Sequence, residues 1–251
     1  MRFWKMEGLG NDFVVVAGPF EVDGELARRL CDRRRGIGAD GVLVVTPQGG
    51  DVVRMDYRNA DGSPAEMCGN GLRCVARVAF LEGMVSAPSF TVETAVGPRR
   101  VEVGEEEVRV EIGPVVVGDE LEMEGMRFLT ASVGNPHAVT FVPSVGDAAV
   151  GRTGPRVEVD PSFPDRTNVE FVEVTAPDSI RLRVWERGVG ETPACGSGAV
   201  AAAAVAHASG RIQATAVHVE LLGGHALVEM IDGVGWLTGP ARLVFSGAWP
   251  V

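Results

Sequence analysis

The chain is short of several residue types. It has one lysine, Lys5, one tyrosine, Tyr57, and five asparagines, Asn11, Asn59, Asn70, Asn135 and Asn168. A lone lysine near the start, with no phosphate loop beside it, argues against pyridoxal phosphate chemistry, which needs a Schiff-base lysine. Cysteine is scarce: Cys31, Cys68, Cys74 and Cys195. Four in 251 residues do not make a disulfide framework. With no C-x2-C pair and His137, His207, His218 and His225 scattered, a zinc site is not expected either. Basic charge is also short, 23 Lys and Arg against 34 Asp and Glu, for a formal net charge of −11. No basic stripe is left to neutralise phosphates, so nucleic acid and anionic membrane are not expected partners. No apolar run reaches the roughly 18 residues of a membrane span. The best, 199–208, is mostly alanine and is interrupted by His207. The opening residues lack the apolar core of a signal peptide. The expectation is a soluble, cytoplasmic protein of one large domain or two of about 110–130 residues.

Against this background two stretches stand out. Met67-Cys68-Gly69-Asn70-Gly71-Leu72-Arg73-Cys74 and Ala194-Cys195-Gly196-Ser197-Gly198-Ala199-Val200 each set a cysteine before Gly-polar-Gly, and each leads into a helical run, 75–81 and 199–208. A cysteine just ahead of a helix feels the positive end of the macrodipole and unpaired backbone N–H groups, which lower a thiol pKa. The glycines let those N–H groups approach an anion closely. Each stretch therefore offers an acid–base thiol beside a carboxylate cradle. Inverting a carbon that bears an acidic hydrogen needs a base on one face and an acid on the other, and a thiolate with a thiol supplies both. Helix N-termini would stabilise the developing carbanion without a cofactor. Cys31 and Cys74 read as packing. His137 and Glu186 are placed to polarise thiols, and Arg187 to clamp a carboxylate.

Read in order, both halves run strands, then turn-Cys-helix, then strands. In the first half, strands are expected at 3–6, 13–17, 42–45, 52–57, 90–94, 99–103 and 108–112, with a helix at 24–34. In the second, they are expected at 126–133, 138–141, 169–174, 180–185, 217–222, 225–231, 235–239 and 241–246, with a short helix at 147–152. The glycines of 36–41 precede rather than follow a strand and lack a third member, so no nucleotide site is read there. This is an internal duplication of two similar α+β domains with the active site between them. Gly113-Pro114 marks the expected border, giving domains 1–113 and 114–239.

At this point the sequence resembles the diaminopimelate epimerases, cofactor-independent two-cysteine enzymes of lysine and cell-wall precursor synthesis. Besides the cysteine stretches, the resemblance rests on Gly8-Leu9-Gly10-Asn11-Asp12-Phe13, Gly36-Ile37-Gly38-Ala39-Asp40, Asn59-Ala60-Asp61-Gly62-Ser63, Gly134-Asn135-Pro136-His137, Asn168-Val169 and Glu186-Arg187-Gly188-Val189-Gly190-Glu191-Thr192. It implies two pseudo-symmetric domains, each a curved, barrel-like, mostly antiparallel sheet around a central helix, with 240–251 returning to the first domain. It implies Cys68 and Cys195 as the acid–base pair in interconverting LL- and meso-diaminopimelate. Gly69, Asn70, Gly196 and Ser197 would hold the reacting carboxylate. Asn59, Asn135, Asn168 and Arg187 would hold the distal amino-acid group, Glu186 and Asn11 would take part in amine recognition, and His137 would lie near a thiol. All five asparagines of an asparagine-poor chain fall on these positions. Gly41 departs from relatives that carry Gln there. The expected partner is a small amino acid, with no cofactor and no metal; the sequence leaves a homodimer open. The alternatives are a proline or hydroxyproline epimerase, which would not need the asparagines and Arg187, and a non-catalytic amino-acid-binding protein, which would not need both thiols.

Overall fold

The computed structural model describes residues 1–65 and 67–250; Glu66 and Val251, the last residue of the expected C-terminal return, lie outside the described residues. In chain order the first elements are β1 (Arg2–Gly8), β2 (Asn11–Ala17), α1 (Gly24–Cys31), β3 (Gly41–Pro47), β4 (Val52–Asn59), β5 (Pro64–Ala65), α2 (Gly69–Leu81), β6 (Ser89–Thr94), β7 (Gly97–Val103) and β8 (Glu107–Pro114). They are followed by β9 (Val116–Met123), β10 (Met126–Ser132), β11 (Pro136–Phe141), α3 (Val150–Glu158), β12 (Asn168–Ala176), β13 (Ser179–Glu186), β14 (Gly190–Thr192) and α4 (Gly196–Ala208). The last are β15 (Ala216–Leu221), β16 (Gly224–Ile231), β17 (Val234–Pro240) and β18 (Arg242–Ala248). The chain divides into two compact units, Met1–Glu111 with Thr238–Val251, and Ile112–Leu237.

In the first unit β18 pairs antiparallel with β1 and β1 with β2. β2 then runs parallel to β3, a pairing that needs the crossover α1 supplies. β3 and β4 form an antiparallel pair, β5 adds to β4, and β4 runs parallel to β6 across the α2 crossover. β6, β7 and β8 close the unit as a meander. The second unit repeats this order. β9, β10 and β11 are antiparallel, β11 runs parallel to β12 across α3, and β12 pairs antiparallel with β13. β14 adds to β13, β13 runs parallel to β15 across α4, and β16 returns antiparallel. The expected duplication is thus present from β18 against β9 through to β7 against β16.

Each unit's sheet curves around one helix. α2 touches β1, β2, β3, β4 and β7, and α4 touches every strand from β9 to β13 together with β15 and β16. α4, with sequence GSGAVAAAAVAHA, is apolar all round, so it is stable only when enclosed. Its alanines let strands pack close on several sides, and Ala199 to Ala206 are all buried.

Both central helices begin earlier than the apolar runs suggest, at Gly69 rather than 75 and at Gly196 rather than 199. First-turn N–H groups have no intrahelical partner, so small polar and glycine residues are tolerated there. α3 is displaced from the expected 147–152. Gly154 and Pro155 read as breakers, yet the helix runs through them. Gly154 is needed: a Cβ there would lie 2.6 Å from Trp185 Cγ. β9 was not expected, because its VVGDELEM faces solvent along most of its length and shows no alternation.

Candidate active site

In the first unit Cys68 is the N-cap of the thirteen-residue α2, in extended backbone. Its Sγ donates to Asn11 Oδ1 at 3.6 Å, and Asn70 Nδ2 donates to the same oxygen at 3.4 Å. The Asn11 amide is fixed from the other end, because its Nδ2 donates to Asp40 Oδ2 at 2.6 Å. Asp40 is in turn held by Arg33, which also grips Asp12 beside Lys5. Burial pushes the Asp12 carboxyl up, but Arg33 and Lys5 outweigh it and hold the group well below the usual range. Beneath the helix start lies Arg73, fully buried. Its guanidinium donates to Pro240 O at 3.2 Å, Gly69 O at 3.4 Å and Asn70 Oδ1 at 3.0 Å. Room for it comes from Gly8, where a Cβ would sit 3.2 Å from Nη2. Asn59 lies in its own turn, with Nδ2 on Ser63 Oγ at 3.1 Å. At Gly41 a Cβ would lie 2.6 Å from the Tyr57 ring and 2.7 Å from Arg58 O, so the sole tyrosine occupies the space a side chain would need.

In the second unit Cys195 is the N-cap of α4, and its sulfur accepts from Gly198 N–H at 3.4 Å. Ser197 Oγ lies 3.5 Å from that sulfur, and Asn135 Nδ2 donates to Ser197 Oγ at 3.2 Å. His137, fully buried, sits between Asn135 Oδ1 at 3.1 Å and Glu170 Oε1 at 2.7 Å. Glu186 Oε1 accepts from Thr192 Oγ1 at 2.5 Å. Asn168 is committed at both ends of its amide: Nδ2 donates to Pro136 O at 3.0 Å and Oδ1 accepts from Arg187 N–H at 3.0 Å. It therefore ties the Arg187 turn to β11. The exposed Arg187 guanidinium donates to Asp165 O at 3.2 Å.

The remaining thiols are packing groups. Burial pushes Cys74 up to about 12 and Cys31 up to about 11. Burial also pushes the Cys195 thiol well up, the Glu186 and Glu170 carboxyls push the same way, and Ser197 and Gly198 pull it down. Among the described residues no group of three or more His, Cys, Asp or Glu side chains is arranged to hold a metal ion.

The repeat permits a position-by-position comparison. Phe13 pairs with Gly41 in β2–β3, and His137 with Asn168 in β11–β12. Two residues on, Leu43 meets Gly71 as Glu170 meets Gly198, each glycine three after its cysteine. So where the first unit has apolar Phe13 and Leu43, the second has the ionisable pair His137 and Glu170. Conversely, the first unit carries the buried Arg73 five residues after Cys68, where the second has Val200 after Cys195. One thiol lies beside a buried cation, the other beside carboxyls. Sequence reasoning missed Arg73, Asp40 and Glu170. The available signals were arginines inside a mostly apolar helical run and a glutamate inside the apolar run 169–172.

A sequence profile described as diaminopimelate epimerase matches residues 3–118 and again residues 129–244. The diaminopimelate epimerase of Desulforudis audaxviator is 46% identical, with 99% of this chain and 99% of that protein covered. That of Moorella thermoacetica is 43% identical, with 100% of both covered. Among solved structures, a putative phenazine biosynthesis PhzC/PhzF protein from Clostridium difficile matches with a TM-score of 0.77 at 14% identity, covering 100% of both chains. A probable proline racemase from Agrobacterium radiobacter matches with a TM-score of 0.72 at 18% identity, covering 100% of this chain and 93% of that one. The structural likenesses establish the fold alone, whereas the profile and the full-length identities establish more: the chain belongs to the diaminopimelate epimerase family.

Proposed function

We propose that this protein interconverts LL- and meso-diaminopimelate by moving the α-proton between two cysteines, in lysine and peptidoglycan precursor synthesis. The observation that carries the reading is that each unit places one cysteine at the N-cap of a buried thirteen-residue helix, Cys68 and Cys195. The thiolate form of one takes the α-proton, and the electron pair stays on the substrate beside its carboxylate. The thiol of the other delivers a proton to the opposite face, so the enzyme ends with the two roles exchanged. The first-turn N–H groups at Gly69-Asn70 and Gly196-Ser197 hold the carboxylate and stabilise the carbanion, with no cofactor called on. Asn59, Asn135, Asn168 and Arg187 serve the distal amino-acid group, Asn168 by fixing the Arg187 turn. Glu186 and Asn11 serve the amine.

Residues 1–113 with 240–251, and 114–239, are taken as the working domains. We place the enzyme in the cytoplasm, and exposed Leu243, Val244 and Phe245 on β18 support a homodimer, which light scattering tests. The decisive assay is incubation with LL-diaminopimelate in deuterated water. The parent should gain α-deuterium and form the meso isomer, and Cys68→Ala and Cys195→Ala should each abolish epimerisation. Full activity in either single variant refutes the two-base reading.

A further inference from the structure

Four contacts in the second unit form one continuous chain. Glu170 Oε1 lies 2.7 Å from His137 Nδ1, and His137 Nε2 lies 3.1 Å from Asn135 Oδ1. Asn135 Nδ2 lies 3.2 Å from Ser197 Oγ, and Ser197 Oγ lies 3.5 Å from Cys195 Sγ. Glu170 and His137 have no exposed side-chain surface, and Glu170 Oε2 has no hydrogen-bond partner among the described residues.

The donor and acceptor inventory of these groups constrains where the protons lie. Nε2 faces an amide oxygen, so Nε2 carries a hydrogen and donates. The bond between Nδ1 and Oε1 then holds one more proton, on either atom, and the pair has no net charge. The opposite arrangement, with the Asn135 amide turned over, would make Nε2 an acceptor. It would leave a neutral imidazole beside a lone buried carboxylate with one oxygen unpartnered, a costly state. With the neutral pair in place, every later link has one direction. His137 donates to Asn135, Asn135 donates to Ser197, and the Ser197 hydroxyl is left to donate to the Cys195 sulfur.

We propose that Glu170 is a positioning residue: it anchors, through His137, Asn135 and Ser197, a one-way chain of hydrogen-bond donors that ends on Cys195 and stabilises its thiolate. The inference rests on the reading of Cys195 as an acid–base group. The first unit lacks the device, since Leu43 and Phe13 stand at the equivalent places. Cys195 needs it more, because burial and the Glu186 carboxyl on β13 oppose its ionisation, and Glu170 on β12 would join them wherever its charge is not matched by His137. His137 on β11, paired with Glu170, faces both carboxyls.

The test is the pH dependence of methyl methanethiosulfonate labelling of the full chain, read separately at Cys195 and Cys68 by peptide mass spectrometry. Glu170→Leu, which installs the first unit's residue, breaks the anchor and should raise the Cys195 midpoint by about one pH unit, a tenfold loss of thiolate at a given pH. Ser197→Ala cuts the last link without altering the core and should raise it similarly. Glu170→Gln can donate its amide hydrogen to Nδ1, keeps the chain's direction, and should leave the midpoint within a few tenths. Cys68 should not move in any of them. If Glu170 acts instead as a lone anion, Leu and Gln will both lower the Cys195 midpoint, and that result overturns the proposal. So does an unchanged midpoint in Ser197→Ala. Should Glu170→Leu fail to fold, Gln and Ser197→Ala decide the matter alone. Labelling needs no substrate, so its failure is separate from failure of the epimerase reading, which is shown by absence of α-deuterium in the parent.

Discussion

The buried arginine of the first unit carries a double prediction, because its charge and its hydrogen bonds do different things. Arg73 is fully buried, and among the described residues its hydrogen-bond acceptors are two backbone carbonyls and the Asn70 amide, with no carboxylate. Burial lowers its pKa, a sign that the fold works against desolvation to keep a cation there. Its charge interacts with Cys68 at the helix start. Replacing it by Met removes the cation and withdraws its hydrogen bonds to Pro240 O and Asn70 Oδ1; Gly69 O keeps its intrahelical bond. Two lost hydrogen bonds from a charged donor cost about 1.5–3 kcal/mol each, and relief of the guanidinium's desolvation returns part of that. A net loss of about 2–4 kcal/mol follows, or about 4–16 °C in Tm for a chain of this size.

The chemical consequence is separate. Loss of a nearby cation should raise the Cys68 labelling midpoint by about one pH unit, less than for a fully buried pair because Cys68 is half-exposed. Arg73→Lys separates the two effects. It keeps the charge, so the midpoint should stay near the parent's, while its single ammonium cannot span three acceptors and Tm should still fall. Thermal melts and site-resolved thiol labelling on the three proteins decide it. A folded Arg73→Met protein with an unchanged Cys68 midpoint would refute the assignment of the cation to the thiol.

Other predictions concern space and pH. Gly41→Gln should cost about 1–3 kcal/mol through overpacking, because its Cβ meets the Tyr57 ring at 2.6 Å and Arg58 O at 2.7 Å; a urea midpoint equal to the parent's would contradict this. Gly198→Ala should lower stability although alanine gains about 1 kcal/mol over glycine in a helix, because its Cβ would sit 2.8 Å from Glu170 Oε1; the same melts show the sign. Burial raises the folded-state pKa of Glu186 above its unfolded value, so its contribution is fully present below about pH 4.3 and is lost as pH rises through the folded value. Glu186→Gln should therefore flatten the fall in stability that sets in as pH rises above about 4.3. Asp12 runs the other way: its folded pKa is depressed, so its contribution is present above about pH 3.9 and is lost as pH falls. Asp12→Asn should lose stability most near neutrality and least in acid, as urea titrations at several pH values would show.

The two cysteine caps were legible because glycine beside a helix start has few other uses, and the strands of the duplicated core were legible from their valine-rich runs. The helix starts were read late because first-turn backbone is satisfied by position rather than by propensity, so Gly69-Asn70-Gly71 looks like loop. β9 was illegible because a strand exposed along most of its length keeps no period-2 pattern. Glu170 was illegible for a different reason. Its partner His137 is 33 positions away, and only the parallel register of β11 on β12 brings them to one face. A buried acid in an apolar strand announces that a partner exists without saying which one.

Duplication also explains why the asymmetry could not be read from the motifs. Both units inherit the same cap, the same crossover and an asparagine at the start of the equivalent strand, Asn11 in β2 and Asn135 just before β11. The differences lie one layer deeper, at Phe13 against His137, Leu43 against Glu170, and Arg73 against Val200. Those positions face the helix start from strands and from the helix interior, where a substitution changes the potential at the sulfur without altering the cap. Under the two-base reading each thiol must ionise in its turn, and two identical thiols would do so without bias. Here Cys68 has a cation beside it and Cys195 has carboxyls opposed by a donor chain. The first arrangement sets a cation's attraction on its thiol. The second holds a thiol that can still become a thiolate. The resting enzyme should therefore carry its labile thiolate on Cys68, and labelling near neutral pH should reach Cys68 well before Cys195; the reverse order would mean that the buried chemistry of the second unit, and not Arg73, sets which cysteine begins as base.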